Sequence, residues 1–177
     1  MYWYITIVQT HPILTALIQF AILGTLGEAV SKWVINKKIN WPFDLRQTIW
    51  KMIVWSILGV AIKYAFTGMS GFMDALLQHQ LLPQSFYSST FLYAFSKSVA
   101  TNLQFGFFLV LFHRFLDNLP LKEKNWNNLD KGILSMLWFW IPAHTITFIL
   151  PTDFQVGLAA LWSVVLGIIL GFFNRKR

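Results

Sequence analysis

The chain has 177 residues and a formal net charge of +7, yet 56% of its residues are hydrophobic and only 12% are charged. A soluble domain usually carries about 25% charged residues, so the composition excludes an ordinary water-soluble fold and favours a surface that faces lipid. The absence of cysteine excludes disulfides and thiolate metal sites.

Five segments have the roughly 20 mainly apolar residues that a bilayer-spanning helix needs. They cover residues 12–34, 47–66, 90–115, 131–150 and 153–173. The sequence therefore predicts an all-α membrane protein, a single domain formed by a compact bundle of about five transmembrane helices. The expected partner of such a bundle is the lipid bilayer.

Two local patterns support breaks between these segments. Asp44 and Gln47 have the spacing of a capping box at the start of the second helix. The short link from Pro151 to Asp153 favours an antiparallel hairpin of the last two helices.

The segment from Met69 to Pro83 has a different pattern. Its apolar residues share one helical face, which predicts a short interfacial amphipathic helix. An irregular loop is the alternative.

Basic residues predict the orientation, because Lys and Arg accumulate in cytoplasmic loops. The loops after the first and third helices and the tail are basic, whereas residues 69–95 contain no Lys or Arg. The amino terminus is thus expected outside and the carboxyl terminus in the cytoplasm. The basic residues concerned are Lys32, Lys37, Lys38, Arg46, Lys51, Arg114, Lys122, Lys124, Lys131, Arg175, Lys176 and Arg177.

The same distribution explains the positive charge better than nucleic-acid binding does. The start of the chain lacks the basic residues of a cleavable signal. The predicted location is the cytoplasmic membrane of a bacterium, with an organelle membrane as the alternative.

Catalysis has little support in the sequence. The four histidines stand on separate segments, and none has a partner at the i+4 spacing of a helical metal site. No phosphate-binding glycine loop or serine nucleophile motif occurs. We therefore expect no enzyme activity, metal or cofactor.

Polar side chains inside the predicted spans are costly in a bilayer and tend to mark a site or a partner. We interpret them as a polar lining between the first, third and fourth helices, forming a pore or solute path. The alternative is interhelical hydrogen bonding that only holds the bundle together. The lining residues are Glu28, Lys97, Asn102, Gln104, Arg114, His144 and Thr147.

Three further expectations concern the geometry of these helices. Pro142 cannot donate a backbone hydrogen bond and should kink the fourth helix. Small residues should allow close helix contacts, with a homo-oligomer contact as the alternative to packing within one chain. Glu28 should pair with Arg114, with Lys32 as the rival partner. The small residues are Gly24, Gly27, Ser163, Gly167 and Gly171.

Three stretches, spread over most of the chain, resemble the Mpv17/PMP22 family of small membrane proteins. The first stretch, Pro12 to Thr15 followed by Gly27-Glu28, is similar to the family's proline, threonine and Gly-Asp. The second, Asp44 to Thr48, is similar to its acidic-then-arginine helix start. The third contains Trp140, Pro142, Thr147-Phe148, Pro151 and Trp162.

The chain departs from the family pattern at several of these positions. Glu28 replaces the aspartate and Thr147 the asparagine, Gln155 stands near an expected arginine, and Thr101-Asn102 stand where Asp-Gln is usual.

The resemblance implies a compact helical bundle that acts as a poorly selective channel or small-solute pathway, without an assigned solute. A structural or interaction protein of the membrane, without transport activity, is the alternative.

Overall fold

The computed structural model describes residues 2–121, 124–127 and 129–174, and the secondary structure of these residues is helical, without a β-strand. Lys122 and the basic tail Arg175–Arg177, used above for the orientation, lie outside the described residues. The chain divides into two compact units, Met1–Val60 with Val156–Arg177, and Ala61–Gln155.

The described residues form nine α-helices and two π-helical turns. In chain order they are α1 (Tyr2–Thr10), α2 (Pro12–Asn36), α3 (Leu45–Gln78), α4 (Ser85–Ser88), α5 (Thr90–Thr101), the first π turn (Asn102–Gly106), α6 (Phe107–Asn118), α7 (Leu129–Ser135), the second π turn (Met136–Trp140), α8 (Ile141–Ile149) and α9 (Thr152–Asn174).

Five continuous helical stretches are long and apolar enough to cross a membrane. They are α2, α3, the stretch Thr90–Asn118 that joins α5 to α6, the stretch Leu129–Ile149 that joins α7 to α8, and α9. The prediction of five spans is therefore confirmed at the level of helix length and composition.

Local hydrogen bonds account for the boundary between α2 and α3. Lys37 adopts a left-handed conformation with a φ of 54°, and its N–H donates to the carbonyl of Trp33, which ends α2. Asp44 Oδ1 accepts from the N–H of Gln47 at 2.7 Å, and Gln47 Oε1 accepts from the N–H of Asp44 at 3.3 Å. The predicted capping box at the start of α3 is thus confirmed.

Helix α3 is longer than the sequence indicated. Its 34 residues give a length of about 51 Å at 1.5 Å per residue, because residues 69–78 continue the second span. The separate short helix expected from Met69 to Pro83 is therefore wrong. Gly68 and Gly71 each cost a helix about 1 kcal/mol, which is too little to end it, and α3 stops only before Gln80, whose φ is 58°.

Helix α1 was not expected, because residues 2–10 are too few to span a bilayer and many have modest helix propensity. A contact with α2 stabilises it: Gln19 Nε2 donates to the Tyr4 hydroxyl at 3.1 Å.

Candidate functional site

Buried polar side chains are concentrated where α5 and α8 pack together in the unit Ala61–Gln155. They belong to α5, to the start of the first π turn and to α8. With their polar partners on α3 they form what we call the polar track. Its residues are Ser70, Asp74, Tyr93, Lys97, Ser98, Thr101, Asn102 and His144.

In one part of the polar track, two side-chain hydrogen bonds join α3 to α5. The Tyr93 hydroxyl donates to Asp74 Oδ1 at 3.2 Å, and Lys97 Nζ donates to Ser70 Oγ at 2.7 Å. Both helices contribute residues four positions apart, so the two contacts lie one helical turn, or about 6 Å, from each other. The Lys97 ammonium also lies 4.3 Å from the centre of the Phe148 ring.

In the other part of the polar track, side-chain contacts join α5 and the start of the first π turn to α8. Asn102 Nδ2 donates to the Ser98 carbonyl at 2.8 Å and lies 3.2 Å from His144 Nδ1. An amide nitrogen only donates, so this contact makes Nδ1 the acceptor and places the neutral ring's proton on Nε2. The His144 ring is enclosed by aromatic rings, with that of Phe66 at 5.3 Å and that of Trp140 at 5.1 Å between centres.

The two π turns lie beside the polar track and contact each other. The first begins at Asn102, and the second ends at Trp140, two residues before Pro142. A Cβ atom at Gly106 would overlap the Met136 sulfur, so a larger residue there would require the Met136 side chain to move. The fourth span therefore has a π turn directly before the proline, and such turns occur frequently at functional sites.

Six of the seven predicted lining residues lie in this unit, and only some of them are brought together. Lys97, Asn102 and His144 belong to the polar track, and Thr147 is buried beside it but donates to the Ala143 carbonyl of its own helix at 2.9 Å. Gln104 is exposed and lies outside the buried cluster. Arg114 is half-buried and donates to the Asn127 carbonyl at 3.2 Å.

Five members of the polar track were not among the predicted lining residues: Ser70, Asp74, Tyr93, Ser98 and Thr101. For the first three of these the signal was the repeated i, i+4 spacing, Ser70 to Asp74 on α3 and Tyr93 to Lys97 on α5.

Glu28 belongs to the other unit, where two side chains of α3 contact its carboxylate, and its expected pairing with Arg114 of the unit Ala61–Gln155 stays a prediction. The Glu28 carboxylate forms an ion pair with Lys51, and its Oε1 accepts from Trp55 Nε1 at 2.8 Å. The rival Lys32 instead lies over the Phe43 ring, 5.2 Å from its centre. Lys51 and Trp55 lie one turn apart on α3 and therefore reach the same carboxylate of α2.

Small residues bring α2 and α9 into backbone contact within this unit. A Cβ atom built at Gly27 would lie 2.5 Å from the Ser163 carbonyl oxygen, and one at Gly167 would overlap the Gly27 carbonyl. A Cβ atom at Gly171 would lie 2.9 Å from the Ser31 carbonyl oxygen. Gly24 has a different neighbour, because the Trp55 ring occupies the space that its side chain would fill.

These features define the class of protein: an all-helical chain with five helices able to cross a membrane and a buried polar cluster inside one of its units. No family model, curated protein or solved structure matches the chain. The resemblance to the Mpv17/PMP22 family therefore stays a prediction.

Proposed function

We propose that this protein is a poorly selective membrane channel or small-solute pathway of the Mpv17/PMP22 type. The observation that carries the proposal is the polar track. Polar and charged groups inside a membrane helix are costly and occur mainly where they have a function or a partner. Here they recur at successive turns of one span, at positions 93, 97 and 101.

This spacing suits the passage of a solute. A molecule that moves through a membrane must exchange its hydration shell for polar groups at short intervals, and must bind each of them weakly enough to leave. Along α5 the track offers a phenol, an ammonium and a hydroxyl about one helical turn apart, and the Asn102 amide and His144 imidazole lie next to them. The π turn that begins at Asn102 also interrupts the regular helix at this level, and such turns occur frequently at functional sites.

The alternative is a structural or interaction protein of the membrane. A specific observation favours it. The polar groups between α5 and α8 already bond to one another, because Asn102 bridges Ser98 and His144. Polar groups satisfied in this way can hold helices together without conducting anything.

A measurement of ion conductance through the purified protein tests the proposal. We expect ion conductance after reconstitution into a planar bilayer, and we expect Asn102→Leu to change it because the leucine removes an amide from the track. Leu103→Ile is the matched control, since Leu103 is exposed and apolar. A silent bilayer together with a specific protein partner in pull-downs would favour the alternative.

We also propose that the amino terminus lies outside and the carboxyl terminus in the cytoplasm of a bacterial cell, with an organelle membrane as the alternative location. The positive-inside rule supports this orientation. A reporter active only in the cytoplasm should be active when fused after Arg177 and silent when inserted near Gln84. Activity at both positions would contradict the five-span topology.

A further inference from the structure

Lys97 is the charged side chain that the unit Ala61–Gln155 buries most completely among its described residues, with 3% of its surface exposed. Its ammonium group has three N–H donors. It donates to one hydroxyl, that of Ser70, and faces the ring of Phe148. Neither a hydroxyl nor a ring face carries a formal negative charge, so the direct neighbours of this ammonium group form no ion pair with it.

Among the described carboxylates of this unit, Asp74 attracts the Lys97 ammonium from the exposed part of the polar track but does not form an ion pair with it. Asp74 is exposed and accepts from Tyr93, and Asp117 lies 3.5 Å from His113. Among the residues that the structure describes, Lys97 forms no ion pair with a carboxylate. This differs from Glu28 in the other unit, whose charge is balanced by Lys51.

A charge has its strongest effect where water and salt do not screen it. Asp74 lies in the screened, exposed part of the polar track, and Lys97 in the buried part. The buried part therefore attracts anions and repels cations, as lysine and arginine do in anion-conducting pores.

We infer that Lys97 makes the polar track selective for small anions over cations, so that the solutes of this pathway are anionic. This inference rests on the proposed function, because it concerns the selectivity of the same track. The competing explanation is that Lys97 only anchors α5 to α3 through Ser70, in which case its charge would not affect which ion passes.

The reversal potential in a potassium chloride gradient across a planar bilayer distinguishes these explanations. The unmodified protein should give a reversal potential displaced toward that of chloride, which requires no variant that could misfold. Lys97→Gln should remove most of this displacement, and Lys97→Arg should retain it because the charge is kept. Lys131→Gln is the matched control: Lys131 is an exposed lysine on α7 of the same unit and outside the polar track, so its loss should leave the displacement unchanged.

Three results would overturn the inference, and they differ in what else they overturn. A conductance that prefers potassium, or one whose chloride preference survives in Lys97→Gln, would contradict the anion selectivity while leaving the pathway itself intact. A bilayer that stays silent with the unmodified protein would contradict both the proposed function and the inference.

Discussion

Replacing Gly167 with leucine is expected to lower the free energy of unfolding by about 3 kcal/mol, the upper part of the range for overpacking a tight contact. Even a single added carbon at this position would overlap the carbonyl group of Gly27. The obstacle is backbone, which cannot rotate away as a side chain can. Helices α2 and α9 would have to separate, and close packing is the main attraction between helices in a bilayer.

Thermal unfolding in detergent measures this effect, and Val165→Leu is the control on the same helix. Val165 is 36% exposed, so its enlargement should change the free energy of unfolding by no more than about 0.5 kcal/mol. Equal destabilisation by the two variants would mean that Gly167 does not lie in the α2–α9 contact.

Glu28→Gln and Lys51→Met are expected to destabilise the protein by about 1–3 kcal/mol each, and less than additively when combined. Breaking a fully buried pair costs about 3–5 kcal/mol, but the side chains of Lys51 and Glu28 are 19% and 25% exposed, which reduces the effect. Each single change leaves an opposite charge without its partner, and the second change removes that charge.

A double-mutant cycle in detergent measures the coupling, expected at about 1–2 kcal/mol. The comparison is a cycle of Glu28→Gln with Lys32→Gln, because Lys32 lies over the Phe43 ring. Coupling in the Lys32 cycle that equals or exceeds that of the Lys51 cycle would show that the local pair on α2 is the one that matters.

Hydropathy was sufficient to predict the five membrane-spanning helices but not all of their ends. Five apolar stretches of about 20 residues leave few alternatives to five spans, and the Asp44–Gln47 capping box depends only on residues three apart. The continuation of α3 through Gly68 and Gly71 was missed because each glycine weakens a helix without ending it.

The same error hid part of the candidate site. Once residues 69–83 were assigned to a separate interfacial helix, Ser70 and Asp74 could not be neighbours of Lys97 and Tyr93. Lys97, Asn102 and His144 were predicted one by one, because each is a polar residue in an apolar span. Which groups they contact depends on how α3, α5 and α8 pack, and helical periodicity alone does not determine that.

The ion pair of Glu28 with Lys51 was missed for a related reason. In the sequence, Lys51 was counted only among the basic residues that predict the orientation. Its pairing with Glu28 depends on the register between α2 and α3, to which Trp55 contributes a second contact. Charge and depth in the membrane were not enough to choose among several basic residues.

A cysteine placed at Thr101 tests most directly whether the polar track conducts. The chain has no cysteine of its own, so a thiol reagent can react only at the introduced position, and cysteine is close to threonine in size. Leu103→Cys is the control, because Leu103 is 51% exposed on the outer surface and outside the track. We predict that a small water-soluble thiol reagent reduces the bilayer conductance of Thr101→Cys and leaves that of Leu103→Cys unchanged. Conductance that is unaffected at Thr101, with the thiol still unmodified, would contradict a water-accessible path and leave the polar track as a structural contact.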